Sequence, residues 1–195
     1  LDEDKSQAEI LSLESPVLTN GEFDAMQEYM GDGAQVIDCT FNVEDGPDAL
    51  TNALRYIRTE AENAVRGGCA HLILSDITCD ESRAPIPSIL AAASINIRSG
   101  ECLDVQYFAV LIGVGATTVN AYLLQEAIMD RHERGLFPGL DVQSCLARAK
   151  DAIDQGLLKV MSKMGISVIS SYRGGYNFEA VGLSRALVAE FFPGM

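Results

Sequence analysis

Apolar residues recur at helical spacing between residues 46 and 66, which is the most regular pattern in the chain. Intervals of three and four residues place these side chains on one face of a helix. Pro47 stands in the first turn, where its missing N–H is not needed, and Gly67 and Gly68 end the helix. The short apolar run at residues 71–74 then predicts a buried strand. The pattern is therefore a unit of helix, glycine and strand.

The same unit occurs twice more along the chain. Residues 105–112 predict a helix, and Gly115 interrupts the pattern before a β-branched strand at residues 117–119. One apolar face over residues 146–164 predicts another helix, and residues 166–169 after it predict another strand. Glycine thus separates each predicted helix from its strand.

An earlier strand, predicted at residues 35–38, follows a short helix for which Asn20 is the expected N-terminal cap. Strands and helices therefore alternate along most of the chain. Alternation of this kind predicts a parallel sheet with right-handed crossovers, so the fold class is α/β with parallel β/α units. Two arrangements remain open: an open wound sheet, or an incomplete (β/α)-barrel-like sheet.

Three regions interrupt this alternation. Residues 78–87 are polar and contain two prolines, which predicts a loop, and residues 137–139 separate a helix at 123–134 from the next one. Between residues 89 and 104 the pattern is compressed into a short Ala-rich helix and a possible strand at 94–97. That stretch leaves little room for a crossover.

The composition predicts one domain spanning residues 1–195, located in the cytoplasm. No apolar run approaches the roughly 20 residues of a membrane-spanning helix, so no membrane contact is expected. The 28 acidic and 14 basic residues give a net charge of −14, which disfavours nucleic acid as a partner. The five cysteines are scattered, without a CxxC pair or a nearby histidine, and predict reduced thiols rather than a metal site.

Polar residues stand where predicted strands end, which is the place where parallel α/β sheets bind ligands. They are Asp38, Ser75, Asp76, Asn120, Tyr122, Ser171, Tyr172 and Arg173. Short polar side chains at such positions more often cap the next helix or turn, and we interpret Asp38, Asp76 and Asn120 in this way. No nucleophile elbow, HExxH or phosphate-loop signature accompanies them, so no catalytic residue is assigned.

Two pairs of glycines invite comparison with phosphate-binding turns. Gly113 and Gly115 resemble half of a dinucleotide fingerprint, but they close a helix and precede a strand, which is the reverse of the required order. We interpret them as a helix end and a site of close packing. Gly174 and Gly175 follow a predicted strand, as an anion-binding turn does, and Arg173 adds a positive charge. A plain turn is the favoured alternative there.

Several stretches of the chain resemble the large chain of glutamate synthases. The longest covers residues 156–184, GLLKVMSKMGISVISSYRGGYNFEAVGLS, and shorter ones lie at residues 13–18, 73–76, 83–88 and 108–116. The resemblance spans nearly the whole chain. It implies the later part of the central domain, which joins two catalytic centres, has a topology related to a flavin barrel and carries no flavin.

The resemblance implies a non-catalytic part of an NADPH-dependent oxidoreductase that converts L-glutamine and 2-oxoglutarate to L-glutamate. It implies FMN and an iron–sulfur cluster in the full-length chain, with no cofactor held by this segment. The implied partners are the amidotransferase and FMN domains of the same chain, and the small subunit of the enzyme. Lys159, Lys163, Tyr172 and Arg173 are the candidates for contacts between domains.

Read without the resemblance, the polar strand ends leave open an independent flavin- or phosphate-ligand-binding enzyme on a (β/α) barrel. The acidity alone would also suit a module that binds the enzyme's small subunit. The sequence departs from the family pattern at three points. A connecting stretch is absent between Ala93 and Ser94, which explains the compressed pattern, and Gln106, Tyr107 and Ala121 replace residues that are usual in the family.

Overall fold

The structure is a computed structural model that describes residues 12–88, 95–179, 181–182, 185 and 188–189. Its strands are β1 (Val17–Leu18), β2 (Ala34–Asp38), β3 (Thr40–Asn42), β4 (His71–Ser75), β5 (Arg83–Pro85), β6 (Asn96–Arg98) and β7 (Thr118–Asn120). The main helices are α1 (Asn20–Met30), α2 (Ala49–Arg66), α3 (Val105–Val114), α4 (Tyr122–Glu133), α5 (Val142–Lys163) and the short α6 (Ile169–Tyr172).

Five parallel strands form the central sheet in the order β1-β7-β6-β4-β2. From β2 the strands follow the chain order across the sheet to β7, and β1 then lies beside β7. A closed barrel would require β1 to pair with β2 as well, and in the structure these two strands are the free edges. The predicted α/β class with parallel units is confirmed, and the sheet is the open one of the two arrangements.

The main core lies on one face of this sheet, where register partners form a single aliphatic row. The row consists of Ile37, Leu74, Ile97, Val119 and Val17, one from each strand. All five are buried and pack against apolar side chains of α2, α3 and α5. The three helices therefore bury their apolar stripes on this face, as the periodicity predicted.

The opposite face is covered by α1. Phe23 and Met26 of this helix pack on Leu18 and Ile73 of the sheet. Because α1 lies on one face and α2, α3 and α5 on the other, the fold has helices on both sides of a parallel sheet. Among the described residues, no helix has the length and apolar character that a membrane span requires.

The first helix begins one residue earlier than the sequence pattern indicated. Thr19, rather than Asn20, is its N-terminal cap, and Thr19 and Glu22 form a reciprocal capping box. Asn20 is the first helical residue, and its side chain accepts a hydrogen bond from Asn120 Nδ2. Helix α5 likewise starts at Val142, before the predicted residue 146, because the Asp141 side chain caps it.

The strand predicted at residues 166–169 is wrong. Residues 166–168 precede the short helix α6 and Ile169 begins it, and Val168 is 52% exposed. The sheet has no place for them beside β7, which already pairs with β6 and β1. The chain turns instead onto the end of α3, where the N–H groups of Gly174 and Tyr176 donate to carbonyls of that helix.

The other two irregular regions have different outcomes. The predicted loop at residues 78–87 contains β5, which pairs antiparallel with β3 in a separate two-stranded sheet. The strand expected at residues 94–97 is present as β6, between β4 and β7. The Ala-rich helix and Ser94 lie outside the described residues.

Candidate functional site at the carboxyl edge of the sheet

The carboxyl ends of the parallel strands bring polar side chains to one edge of the sheet. Asp38, Ser75, Arg98 and Asn120 are register partners on β2, β4, β6 and β7. Asp76 follows Ser75 directly and is buried. Asp38, Ser75, Asp76 and Asn120, four of the residues expected at strand ends, therefore lie at the carboxyl edge of the sheet, whereas Ser171, Tyr172 and Arg173 follow no strand.

Asp76 is held by donors from the neighbouring strand end. Its carboxylate accepts a 2.8 Å hydrogen bond from Ser99 Oγ and a bifurcated bond from the Gly100 N–H at 3.0 and 3.1 Å. The Tyr122 hydroxyl also donates to it. Burial raises the pKa of Asp76 above its ordinary value, partly offset by these donors, and burial and Asp76 together raise the pKa of Tyr122 to about 12.

A second carboxylate, Glu101, is linked to Asp76 through two buried serines. Glu101 Oε2 accepts hydrogen bonds from the Ser88 N–H and hydroxyl, both 3.0 Å, and from the Tyr107 hydroxyl at 2.6 Å. Ser88 and Ser99 hydroxyls are 2.8 Å apart, and this contact joins the two carboxylates into one network. Burial, followed by the hydrogen bond to Glu101, raises the pKa of Tyr107, which keeps this phenol protonated.

Sequence reasoning missed the residues of this second half. Ser88, Ser99, Glu101 and Tyr107 come from segments around β6, a strand that the compressed pattern predicted without indicating its place in the sheet. The available signal was the Ser-Gly pair at residues 99–100, which ends β6 as Ser75 and Asp76 end β4. The pair could be assigned to the same edge as Asp76 only once β6 was known to lie between β4 and β7.

The small sheet of β3 and β5 is fastened to this edge through Asp38. Arg83 of β5 donates to Asp38 Oδ2 at 2.5 Å and to Thr40 Oγ1 at 2.7 Å. Thr78 Oγ1 donates to the other carboxylate oxygen at 2.8 Å. Asp38 therefore serves as a local anchor, which agrees with its interpretation as a turn and cap residue.

Arg98 and Asn120 are also engaged within the domain. Arg98 pairs with Asp24 of α1 at 3.0 Å, and its guanidinium lies 5.5 Å above the Phe23 ring. Asn120 is fully buried, and its Nδ2 donates to the Leu18 carbonyl and to Asn20 Oδ1. These side chains hold α1 and β1 against the sheet, so their main contacts are structural.

The edge does not fit a flavin phosphate, which needs free N–H donors or basic groups. Its arginines, Arg83 and Arg98, are paired with aspartates, and Arg98 Nε, which has no hydrogen-bond partner, is buried. The carboxylates Asp76 and Glu101 at the same edge are negative. The cavity beside Asp76 measures about 10 Å³, roughly the space of one water molecule. The candidate site is a closed internal network.

The cysteines do not fit an iron–sulfur cluster either. Within the part of the chain that the structure describes, no three His, Cys, Asp or Glu residues are grouped as metal ligands. Burial raises the pKa of both Cys39 and Cys102 to about 12, which keeps them as thiols rather than the thiolates that bind metals.

The four candidates for contacts between domains lie far from this edge in the fold. Lys159 and Lys163 are exposed one turn apart on α5, and neither has an ion-pair partner among the described residues. Tyr172 is fully buried, and its hydroxyl donates to the Ala109 carbonyl at 2.9 Å. Arg173 is exposed and donates to Thr117 Oγ1 at 3.0 Å. Thr117 directly precedes β7, so Arg173 lies at the amino edge of the sheet, as does its neighbour Tyr172 in α6.

The glycine pairs are explained by packing. Gly115 ends α3 at a φ of 131°, and a Cβ at Gly113 would lie 2.2 Å from the Phe178 ring. This confirms the interpretation of a helix end and close packing. The Gly174 and Gly175 N–H groups donate to the carbonyls of Ile112 and Tyr172, so these amides are not free for an anion and the plain turn is confirmed.

Together these features define an open parallel α/β domain whose usual ligand edge is occupied by its own side chains. The sequence profile of the family described as "Glutamate synthase central domain" matches residues 1–97 and 91–184. The chain therefore belongs to the glutamate synthase central domain family.

Three relatives extend this finding across bacteria and yeast. The chain is 60% identical to the glutamate synthase [NADPH] large chain of Azospirillum brasilense, over all of this chain and 14% of that protein. It is 36% identical to the NADPH large chain of Bacillus subtilis, over 94% of this chain and 13% of that one. It is 32% identical to glutamate synthase [NADH] of Schizosaccharomyces pombe, over all of this chain and 10% of that one. The chain thus spans about a seventh or less of each relative.

The comparisons also bear on the compressed pattern between residues 89 and 104. The two matched pieces of the family profile overlap at residues 91–97, where the sequence pattern lacks a connecting stretch. The alignment to the A. brasilense protein is 210 residues long, which exceeds the 195 residues of this chain. The relative therefore has residues that this chain lacks.

Proposed function

We propose that this chain is a non-catalytic connecting domain of a glutamate synthase large chain. The complete enzyme would convert L-glutamine and 2-oxoglutarate to two molecules of L-glutamate, with a reduced cofactor as electron donor. The observation that carries the non-catalytic role is the closed network at the carboxyl edge. Its two carboxylates, Asp76 and Glu101, are engaged by serine and tyrosine hydroxyls and backbone N–H groups of this domain.

The relatives support the proposed identity of the complete enzyme. NADPH is proposed as its electron donor because relatives named for NADPH are 60% and 36% identical, against 32% for one named for NADH. FMN and an iron–sulfur cluster are proposed for the parts of the large chain outside this segment. A cytoplasmic location is proposed because all five cysteines are unpaired, as is usual for reducing compartments.

The proposed partners are the amidotransferase and FMN domains of the same chain, together with the small subunit of the enzyme. Lys159, Lys163 and Arg173 are proposed as the contacts to neighbouring domains, because they are exposed and pair with no carboxylate of the described residues. Tyr172 is proposed as a positioning residue. Its buried ring fixes the backbone that carries Arg173.

Replacing Arg173 with alanine in the full-length enzyme should reduce the glutamate formed per glutamine hydrolysed about two- to fivefold. This is the effect of losing one exposed charge contact between domains. Glutamate formation from added ammonia should be unchanged, because the synthase centre lies elsewhere. Both rates are measured on the same preparation by following glutamine and glutamate.

Arg134→Ala is the matched control. Arg134, the C-terminal cap of α4, is also exposed, and its ion pair among the described residues is with Asp130 of that helix, so its removal should leave the ratio unchanged. An unchanged ratio in Arg173→Ala would exclude the contact role of Arg173. A loss of the ammonia-dependent rate itself would argue against a purely connecting domain.

A further inference from the structure

A surface groove lies at the amino edge of the sheet, opposite the candidate site. Its walls are residues 13–16, which lead into β1, the adjoining side of α5, and residues 167–173. We call it the amino-edge groove. Two cavities of about 260 and about 310 Å³ lie along it and share residues 14–16 and Ile169.

The groove is bordered by exposed aliphatic side chains. Leu158 is 55% exposed on α5 and lines one cavity, and Leu13 and Ile169 line the groove as well. Val168, beside Ile169 in the chain, is also exposed. Single exposed apolar residues are ordinary on protein surfaces, but a group of them around a concave surface is typical of an interaction site.

The positive charge of Arg173 in the groove has no counter-ion among the described residues. The Ser15 hydroxyl donates to Asp154 Oδ1 at 2.6 Å and accepts from the Val17 N–H, so this wall is satisfied internally. Arg173 donates only to the neutral Thr117 hydroxyl and has no ion pair among the described residues, although Glu14 lines the same cavity. A guanidinium has five N–H donors in a planar fork, which suits a carboxylate of an incoming segment.

We propose that the amino-edge groove docks a segment from another domain of the same large chain, one that inserts aliphatic side chains into the cavities and presents a carboxylate to Arg173. This rests on the proposed function, because it requires neighbouring domains. The relatives hold the matching region within chains about seven to ten times its length. A segment tethered in this way has a high effective concentration, so a small patch is enough to hold it.

A second copy of the chain is the less suitable occupant. Stable association of separate chains buries roughly 1,200–2,000 Å² in total, whereas a tethered segment can be held by a smaller area. Two copies that each carry a net charge of −14 would also repel one another.

Photo-crosslinking in the full-length enzyme tests this proposal. A benzophenone amino acid replaces Val168 in one variant and Val65 in the control, which is the same residue type and is 59% exposed on α2. After irradiation, the crosslinked peptides are identified by mass spectrometry. We expect the probe at residue 168, and not at 65, to join a peptide of the same large chain from outside residues 1–195.

The charged part of the proposal has its own variants. Arg173→Glu should lower the crosslinking yield at residue 168 several-fold, whereas Arg173→Lys should retain most of it, because a carboxylate is the expected counter-ion. A yield that Arg173→Glu leaves unchanged would exclude the carboxylate contact.

Three outcomes would overturn the docking proposal: crosslinks between two copies of the chain, crosslinks into the small subunit, or a yield at residue 168 no higher than at residue 65. This test is independent of the Arg173→Ala experiment, which measures the glutamate formed per glutamine hydrolysed. Suppose that residue 168 crosslinks to another domain but Arg173→Ala leaves the glutamate formed per glutamine hydrolysed unchanged. The docking site would then be retained, and the role that the proposed function gives to Arg173 would be rejected. If Arg173→Ala alters that ratio but the crosslinks are absent, the role of Arg173 would be retained and the docking site rejected.

Discussion

Replacing Tyr172 with alanine should lower the free energy of unfolding of the chain by about 3–5 kcal/mol, the usual cost of removing a large buried aromatic ring. Tyr172 is fully buried, its ring meets Phe178 edge-on with centroids 6.5 Å apart, and its hydroxyl donates to Ala109. The loss would leave a cavity where the segment after α5 packs on α3. Urea denaturation followed by circular dichroism measures the change.

Tyr172→Phe separates packing from hydrogen bonding at the same position. It keeps the ring and removes only the hydroxyl, so the expected cost is about 1 kcal/mol. If Tyr172→Ala also costs 1 kcal/mol or less, Tyr172 would not be part of the core, and a direct contact with another domain would again be the better explanation of this residue.

Gly156→Ala should destabilise the chain by about 2 kcal/mol, although alanine is the better helix former. Gly156 lies within α5 where that helix crosses Val105 of α3, and a Cβ there would stand 2.5 and 2.6 Å from the two γ-methyl groups of Val105. Both methyl groups clash, so a change of rotamer cannot relieve the contact. The overpacking costs about 3 kcal/mol of stability, and the higher helix propensity of alanine offsets roughly 1 kcal/mol of that cost.

The same substitution should be close to neutral in a Val105→Ala background, because the clash with the γ-methyl groups is gone and the remaining 3.1 Å approach to the Cβ of residue 105 offsets the gain in helix propensity. The double-mutant cycle therefore predicts that most of the cost of Gly156→Ala disappears in the Val105→Ala background, measured by the same urea denaturation. Equal effects of Gly156→Ala in the two backgrounds would contradict the close approach of α3 and α5.

The sequence pattern identified the long helices because each has an apolar stripe longer than two turns. It also identified β2, β4 and β7, which lie beside those helices and contribute to the aliphatic row. The strand expected at residues 166–169 failed for a reason that no local pattern contains. Whether an aliphatic segment forms a strand depends on where the rest of the fold places it, and β1 already occupies the position beside β7.

The short strands were missed for a related reason. Strand β1 has two residues and β5 has three, too few for alternation to be recognised. Both are formed by partners distant in sequence, since β1 pairs with β7 and β5 with β3. Periodicity could not have identified them.

The sequence also predicted only part of the candidate site. The rule that ligands bind at strand ends located Asp38, Ser75, Asp76 and Asn120 correctly. It did not indicate that Ser99 and Gly100 would occupy the Asp76 carboxylate, because this depends on β6 lying beside β4. The sequence could thus locate the edge, but only the structure explains why its polar groups are unavailable to a ligand.

The resemblance to glutamate synthases, supported by the family match and by the relatives, was carried largely by residues whose role here is packing. Tyr172, Gly113 and Gly174 hold the last described segment against α3. Lys159, Lys163 and Arg173 are the members of that motif that internal packing does not explain. Sequence comparison alone gives both groups equal weight.

The most direct test of the central claim is the kcat of the full-length enzyme carrying Glu101→Gln. Glu101 is the most exposed carboxylate of the network and lies 2.6 Å from the Tyr107 hydroxyl, so it would be the best general acid or base at this edge. Loss of such a group lowers the rate about 10²- to 10⁴-fold. If the edge is a closed structural network, kcat for glutamine- and for ammonia-dependent glutamate formation should stay within about twofold of the unmodified enzyme. A hundredfold fall in either rate, with thermal stability unchanged, would contradict this account.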